Sequence, residues 1–256
     1  MDILIIGNYG HIGADLAKSL TDRKQYVLKP KKDELDVLSE LSVEGYFVRN
    51  RPSAVVLCNG WSDDKVGTDI GDYGYKPNKS TAVILLKLCR AGNIPLVYIG
   101  TDAGPDSIAY EISQYKNSIV IHTSCLFGMG GDNIVRSFII YSRTMDNASF
   151  DNSKIIHPTY TKDIARLIAD MLIKKEYGSY VLHNSGGCTE YELAVKLFSM
   201  MGSDAVLTPV GETVFEDRRR TSLPSWEDAI ERYINELKKS GFFSDTGING
   251  LQSRGS

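Results

Sequence analysis

An α/β fold is predicted for this sequence: a doubly wound parallel sheet with a small carboxy-terminal lobe. Three observations carry that expectation. The chain opens on an apolar run, Asp2–Ile6, which three glycines interrupt before residues 14–20 resume with helical spacing. Short apolar runs then alternate with helical stretches to about residue 123, the pattern of parallel strands joined by crossover helices. Finally, 256 residues, 42% hydrophobic and 24% charged, are enough to bury a full core.

The interruption reads Gly7-Asn8-Tyr9-Gly10-His11-Ile12-Gly13. Gly7 permits a tight turn, Gly10 lets the backbone approach a phosphate with no Cβ in the way, and Gly13 lets the helix lie close to the strand. An anion there meets free N–H groups at the positive end of the helix. Such glycines also suit a strand-to-helix turn that binds nothing, but their place directly after an amino-terminal strand favours a dinucleotide and a Rossmann-type sheet.

Residues 25–28 form a second strand, whose end is where this kind of fold places the adenosine ribose. An acid there would select NAD; the chain instead carries Lys29-Pro30-Lys31-Lys32, which suits a 2′-phosphate and favours NADP(H) over NAD(H), while Asp33 and Asp36 lie close enough to reach back. Residues 38–50 read as a helix and 53–57 as a buried third strand, with Cys58, Asn59 and Gly60 at its exit. Residues 60–76 are loop-like and rich in Gly and Asp. A helix is expected from Pro77 to Arg90, and a fourth strand over 94–99 runs straight into Gly100-Thr101-Asp102, polar residues at the end of a central strand where such sheets bind ligands.

Charge and composition exclude several classes. The net charge is −3 and the pI about 5.9, with no basic surface for nucleic acid. No apolar run approaches the ~20 residues of a membrane span, and the chain enters a strand with no leader, so a cytoplasmic protein is expected. Cys58, Cys89, Cys125 and Cys188 are widely spaced in mostly apolar contexts and read as buried small hydrophobes, and no two of the four histidines have zinc spacing.

Several stretches, in collinear order over roughly residues 1–240, resemble the extended short-chain dehydrogenase/reductases, and among them the dTDP-4-dehydrorhamnose reductase family. They are the Gly7, Gly10, Gly13 turn; Leu35-Asp36-Val37; Asn78 at a helix start; Val97-Tyr98-Ile99-Gly100-Thr101-Asp102; Thr123-Ser124-Cys125-Leu126-Phe127-Gly128; His157-Pro158-Thr159-Tyr160-Thr161-Lys162-Asp163; and Leu223-Pro224-Ser225-Trp226. The resemblance implies hydride transfer from a nicotinamide to the 4-keto group of a nucleotide-activated deoxysugar. It implies cofactor contacts at Gly7, Tyr9, Gly10, His11, Ile12, Gly13, Lys29, Asp36, Cys58, Asn59, Gly60 and Asn78, and substrate contacts at Asp102, Arg218, Arg219 and Arg220. The arginines suit bidentate recognition of a pyrophosphate and equally suit ion pairs with Glu212, Glu216 and Asp217.

The family's catalytic set is a Ser or Thr after the fourth strand and a Tyr-x-x-x-Lys on the next helix, where i,i+4 spacing puts phenol and ammonium on one face. Thr101 matches the first. The second is missing: only residues 103–117 separate Asp102 from the next strand, Tyr110 has Gln114 four residues on, and Tyr115 has Ile119. The literal match, Tyr75 to Lys79, contains Pro77, and His122 stands where the family has arginine. Tyr110 or Tyr115 is therefore the candidate proton donor, and a phenol with no ammonium beside it titrates near ~10, a poor acid at neutral pH. Three readings stay open: a reductase; a non-catalytic protein that binds a dinucleotide, a sugar nucleotide or a partner enzyme; and a same-fold lyase or epimerase; the expected partners are a small-molecule nucleotide sugar and a second copy of the chain or a partner enzyme.

In the second half, helices are expected over 134–143, 160–175 and 226–239, and from Thr189 with a capping box to Glu192; residues 151–156 return to the sheet or its edge, and 178–183 form a strand. The expected division is a dinucleotide-binding domain over 1–126, a mainly substrate-binding lobe over 127–243 with some return to the sheet, and a flexible tail over 244–256.

Overall fold

The structure, a computed structural model, describes residues 1–7, 10, 12–31, 33–58, 79–100, 107–212 and 221–243. Its first elements are β1 (Asp2–Ile6), α1 (Gly13–Asp22), β2 (Tyr26–Leu28), α2 (Glu40–Asn50), β3 (Ala54–Cys58), α3 (Lys79–Gly92), β4 (Leu96–Gly100), α4 (Ile108–Ser113) and β5 (Ser118–His122). After them come β6 (Leu126–Phe127), α5 (Ile134–Thr144), β7 (Asn147–Asp151), β8 (Thr159–Tyr160), α6 (Thr161–Lys174), β9 (Gly178–Val181), α7 (Glu190–Met201), β10 (Val206–Val210) and α8 (Trp226–Lys239). Contacts group them into two units, one of Met1–Thr123 with Ile164–Leu182, the other of Ser124–Asp163 with the chain from His183.

The first unit is built on a six-stranded parallel sheet in the order β2-β1-β3-β4-β5-β9. Every residue of β3 and β4 is buried, as expected of apolar strands covered on both faces. On one face Leu4, Ile6, Val55, Leu57, Tyr98 and Val120 pack against Val43, Leu85, Leu86, Ile108 and Ile112. Across the other, Arg23 at the end of α1 grips Asp170 on α6 with Nε at 2.7 Å and Nη2 at 3.0 Å. Chain order reverses at β1, which pairs with β2 on one side and β3 on the other, so the crevice beyond the carboxyl ends of β1 and β3 is the topological switch point of the sheet.

The second unit has an aromatic core of Phe127, Phe138, Phe150, Tyr160, Phe198, Trp226 and Tyr233, with Phe127 and Tyr160 stacked at 5.3 Å between centroids. Residues 183–185 tie it together. Asn184 is buried, gives hydrogen bonds to Asp163 and the Pro224 carbonyl, and accepts one from the Tyr160 amide. Asp163, 7% exposed, in turn takes two bonds from Arg232, at 2.7 and 2.6 Å.

Two expectations are corrected here. Residues 151–156 do not rejoin the sheet: β7 ends at Asp151 and pairs with β10 in a separate two-stranded sheet, because Phe150 is drawn into the aromatic core beside Phe138 and Phe198. Tyr160 belongs to β8, paired with β6, and α6 starts one residue later.

Candidate functional site

The site is assembled at the carboxyl edge of the sheet, where β1 turns into α1. Gly7 has φ +83°, and a Cβ there would overlap the carbonyl oxygen of Cys58 on the neighbouring strand β3. Only glycine fits a backbone that is both left-handed and in contact with another backbone. Gly10 closes the turn by donating its amide to the Gly7 carbonyl at 3.1 Å, and among the described residues a Cβ on it would meet that same oxygen alone, at 3.3 Å. Gly13 is buried as the first residue of α1.

The start of α1 differs from those of its neighbours. Side chains cap α2 (Ser39), α4 (Ser107), α5 (Asn133), α7 (Thr189, with Glu192 completing the box) and α8 (Ser225). The N-cap of α1 is Ile12, whose side chain accepts nothing. A helix start that carries no side-chain cap, preceded by a glycine turn at a switch point, has the geometry and partial positive charge to take a phosphate.

At the far side of β1, Lys29 is exposed directly after β2. Asp36 is partly buried and engaged in its own loop: its carboxylate accepts the Leu38 amide at 2.9 Å, and its amide donates to Ser42 Oγ at 3.0 Å. Cys58 meets the turn with its carbonyl and Cβ, and burial pushes its thiol up to about 12. The same holds for Cys89, so neither is a nucleophile.

The two tyrosine candidates part company. Tyr110 lies in the first turn of α4, 53% exposed, its amide accepted by Ser107 Oγ at 3.1 Å. Tyr115 is 7% exposed, and its hydroxyl donates to the carbonyls of Cys89 and Ile94, each at 2.9 Å. Ile94 precedes β4, so this phenol is fixed at the amino edge of the sheet, opposite the glycine turn, and burial raises its pKa further. Tyr115 is therefore corrected from a candidate acid to a packing residue. Tyr9, His11, Asn59, Gly60, Asn78, Thr101, Asp102, Arg218, Arg219 and Arg220, like the loop over 60–76 and the tail, lie outside the described residues.

Sequence reasoning assigned no role to Thr123, which the structure puts just past β5 with its amide on the Gly100 carbonyl at 3.1 Å. Nor did it pair His157 with His183, whose rings stack at 4.3 Å in the second unit. Among the described residues no group of three or more His, Cys, Asp or Glu is placed to hold a metal, and no helix is long and apolar enough to cross a membrane.

Comparison with known proteins adds a family and a fold. Residues 1–107 and 107–225 match the family model described as the RmlD substrate binding domain. The dTDP-4-keto-6-deoxy-D-glucose reductase of Streptomyces niveus is 23% identical over 227 residues, 78% of this chain and 79% of its own. The spore coat polysaccharide biosynthesis protein SpsK of Bacillus subtilis is 25% identical over 261 residues, covering 91% and 90%. Among solved structures, a dTDP-4-dehydrorhamnose reductase of Clostridium acetobutylicum superposes with a TM-score of 0.77 at 22% identity, over 93% of this chain and 100% of that one. The Bacillus anthracis reductase, solved in complex with NADP, gives 0.75 at 22% identity, over 92% and 99%.

Proposed function

The chain belongs to the RmlD substrate-binding family, and we propose that it is a nicotinamide-dependent reductase of a nucleotide-activated 4-keto-6-deoxysugar. The observation that carries the reading is the Gly7–Gly10 turn seated on Cys58, leading into the one described helix start that an aliphatic residue occupies. In this reading the turn and the first amides of α1 hold the pyrophosphate of the cofactor. Lys29, exposed beyond β2, meets a 2′-phosphate, and Asp36 is occupied elsewhere; both points support NADP(H) over NAD(H).

When bound, the nicotinamide supplies the hydride that reduces the keto carbon. The chain's own residues do the rest. Thr101 polarises the carbonyl by a hydrogen bond, and Tyr110 gives the proton to the developing alkoxide. Asp102 and the arginines Arg218, Arg219 and Arg220 take the sugar and its diphosphate. In this reading the protein works in the cytoplasm, as a homodimer or beside a partner enzyme.

A second reading has an observation of its own. With Tyr115 locked at the amino edge and Tyr110 followed four residues later by Gln114 instead of lysine, α4 offers no ammonium to lower the pKa of a phenol. That favours a protein which binds the dinucleotide and the sugar nucleotide without turnover. Thermal-shift titration with NADPH, NADH and dTDP, singly and in pairs, tests what both readings share, because ligands that bind only the native state stabilise it by mass action. A shift with NADPH that dTDP enlarges supports them; no shift with any of the three removes both.

A further inference from the structure

Thr123 is 6% exposed, and its Oγ1 is the one buried side-chain nitrogen or oxygen, among the described residues, with no hydrogen-bond partner. Threonines buried elsewhere are satisfied: Thr81 donates to the Val37 carbonyl at 3.0 Å, and Thr159 to the His157 carbonyl at 2.8 Å. A buried hydroxyl with no partner destabilises the fold, and valine would fill the same space without that cost. The hydroxyl is thus explained by something that binds it.

Its position narrows what that is. The Thr123 amide bonds to the Gly100 carbonyl and so prolongs the β4–β5 ladder by one residue, at the same carboxyl edge as Gly7 and Cys58. Along the sheet it is three strands from β1 and two from β3, on the side away from β2, about 14 and 10 Å at ordinary strand spacing. A dinucleotide with its pyrophosphate at the glycine turn and its adenosine toward β2 extends its other end this way. A hydroxyl both donates and accepts, and the planar carboxamide on a nicotinamide ring is its complement, with N–H groups to give and a carbonyl to receive.

We infer that Thr123 is a cofactor-binding residue whose hydroxyl holds the nicotinamide carboxamide and thereby sets the orientation of the ring. The inference rests on the proposed function in one respect, that the cofactor is a nicotinamide dinucleotide. Thr123→Val and Thr123→Ser separate the two claims. Dissociation constants are measured for NADPH and NADH, and for 2′,5′-ADP and ADP-ribose as the matching fragments without nicotinamide. Thr123→Val is expected to weaken the preferred dinucleotide about fivefold, one hydrogen bond's worth, and to leave its fragment unchanged; Thr123→Ser keeps wild-type affinity. The ligand-free melting temperature of Thr123→Val should equal or exceed that of the wild type. Unchanged dinucleotide affinity in Thr123→Val would mean that the hydroxyl holds only a water. Equal weakening of dinucleotide and fragment would make the role purely structural. Either result overturns the inference alone, whereas a wild type that binds no dinucleotide removes the cofactor as well.

Discussion

Gly7 and Gly10 belong to one turn and should fail differently when given a Cβ. At Gly7 the added atom meets the Cys58 backbone in a left-handed conformation, so Gly7→Ala is expected to lose more than about 2 kcal/mol in denaturant unfolding. Among the described residues Gly10→Ala meets the Gly7 carbonyl alone; its stability should stay within about 1 kcal/mol of wild type while dinucleotide affinity drops about tenfold or more by titration. Equal affinity in Gly10→Ala would mean that no phosphate approaches that backbone. The tyrosines divide in the same manner. Tyr115→Phe removes the bond to the Cys89 and Ile94 carbonyls and should cost about 1 kcal/mol with unchanged turnover. Tyr110→Phe should keep its stability and lose about a hundredfold in turnover at unchanged cofactor affinity. The glycine turn was legible because its residue types admit few alternatives. The separation of Tyr110 from Tyr115 was not, though a signal existed: Tyr115 stands three residues before β5, and the residues that enter a parallel strand must lie at its amino edge.

At the scale of elements, α1 and α6 are joined by Arg23 and Asp170, and the guanidinium holds the Asp170 carboxyl below its ordinary range. A depressed folded-state value adds stability above the unfolded value, near ~3.9, and loses it as pH falls through the folded value. The pair is partly exposed, so its worth is small, under about 1 kcal/mol. Denaturation of wild type and Asp170→Asn should accordingly show a small difference at neutral pH that shrinks as acid protonates the carboxylate; a difference that does not shrink with falling pH would contradict the ion pair as its source. Helices α5, α7 and α8 were legible from caps and periodicity, since Ser225 and the Thr189–Glu192 box are local signals. The short strands were not. β6 and β8 have two residues each, and β10 contains Pro209 with most of its side chains exposed, so tertiary pairing, and no pattern of their own, makes them strands.

For the molecule as a whole, the parallel sheet and its switch point derive from the alternation of apolar runs and helices, which the sequence displays up to β5 except for the short α4. The place of β9 (Gly178–Val181) beside β5 comes from tertiary pairing, because it is a mostly exposed edge strand with little apolar pattern. Family membership and fold leave the chemistry to particular side chains, and this chain keeps Thr101 while lacking the Tyr-x-x-x-Lys pair after it. The most direct test is therefore turnover: purified protein with NADPH and a dTDP-linked 4-keto-6-deoxysugar, following NADPH absorbance and the reduced sugar together. The reductase reading predicts that one NADPH is consumed for each 4-hydroxy sugar formed, and that Thr101→Val abolishes both signals. Binding of NADPH and sugar nucleotide with no consumption of either would contradict it, and would leave a protein that has kept the fold to bind.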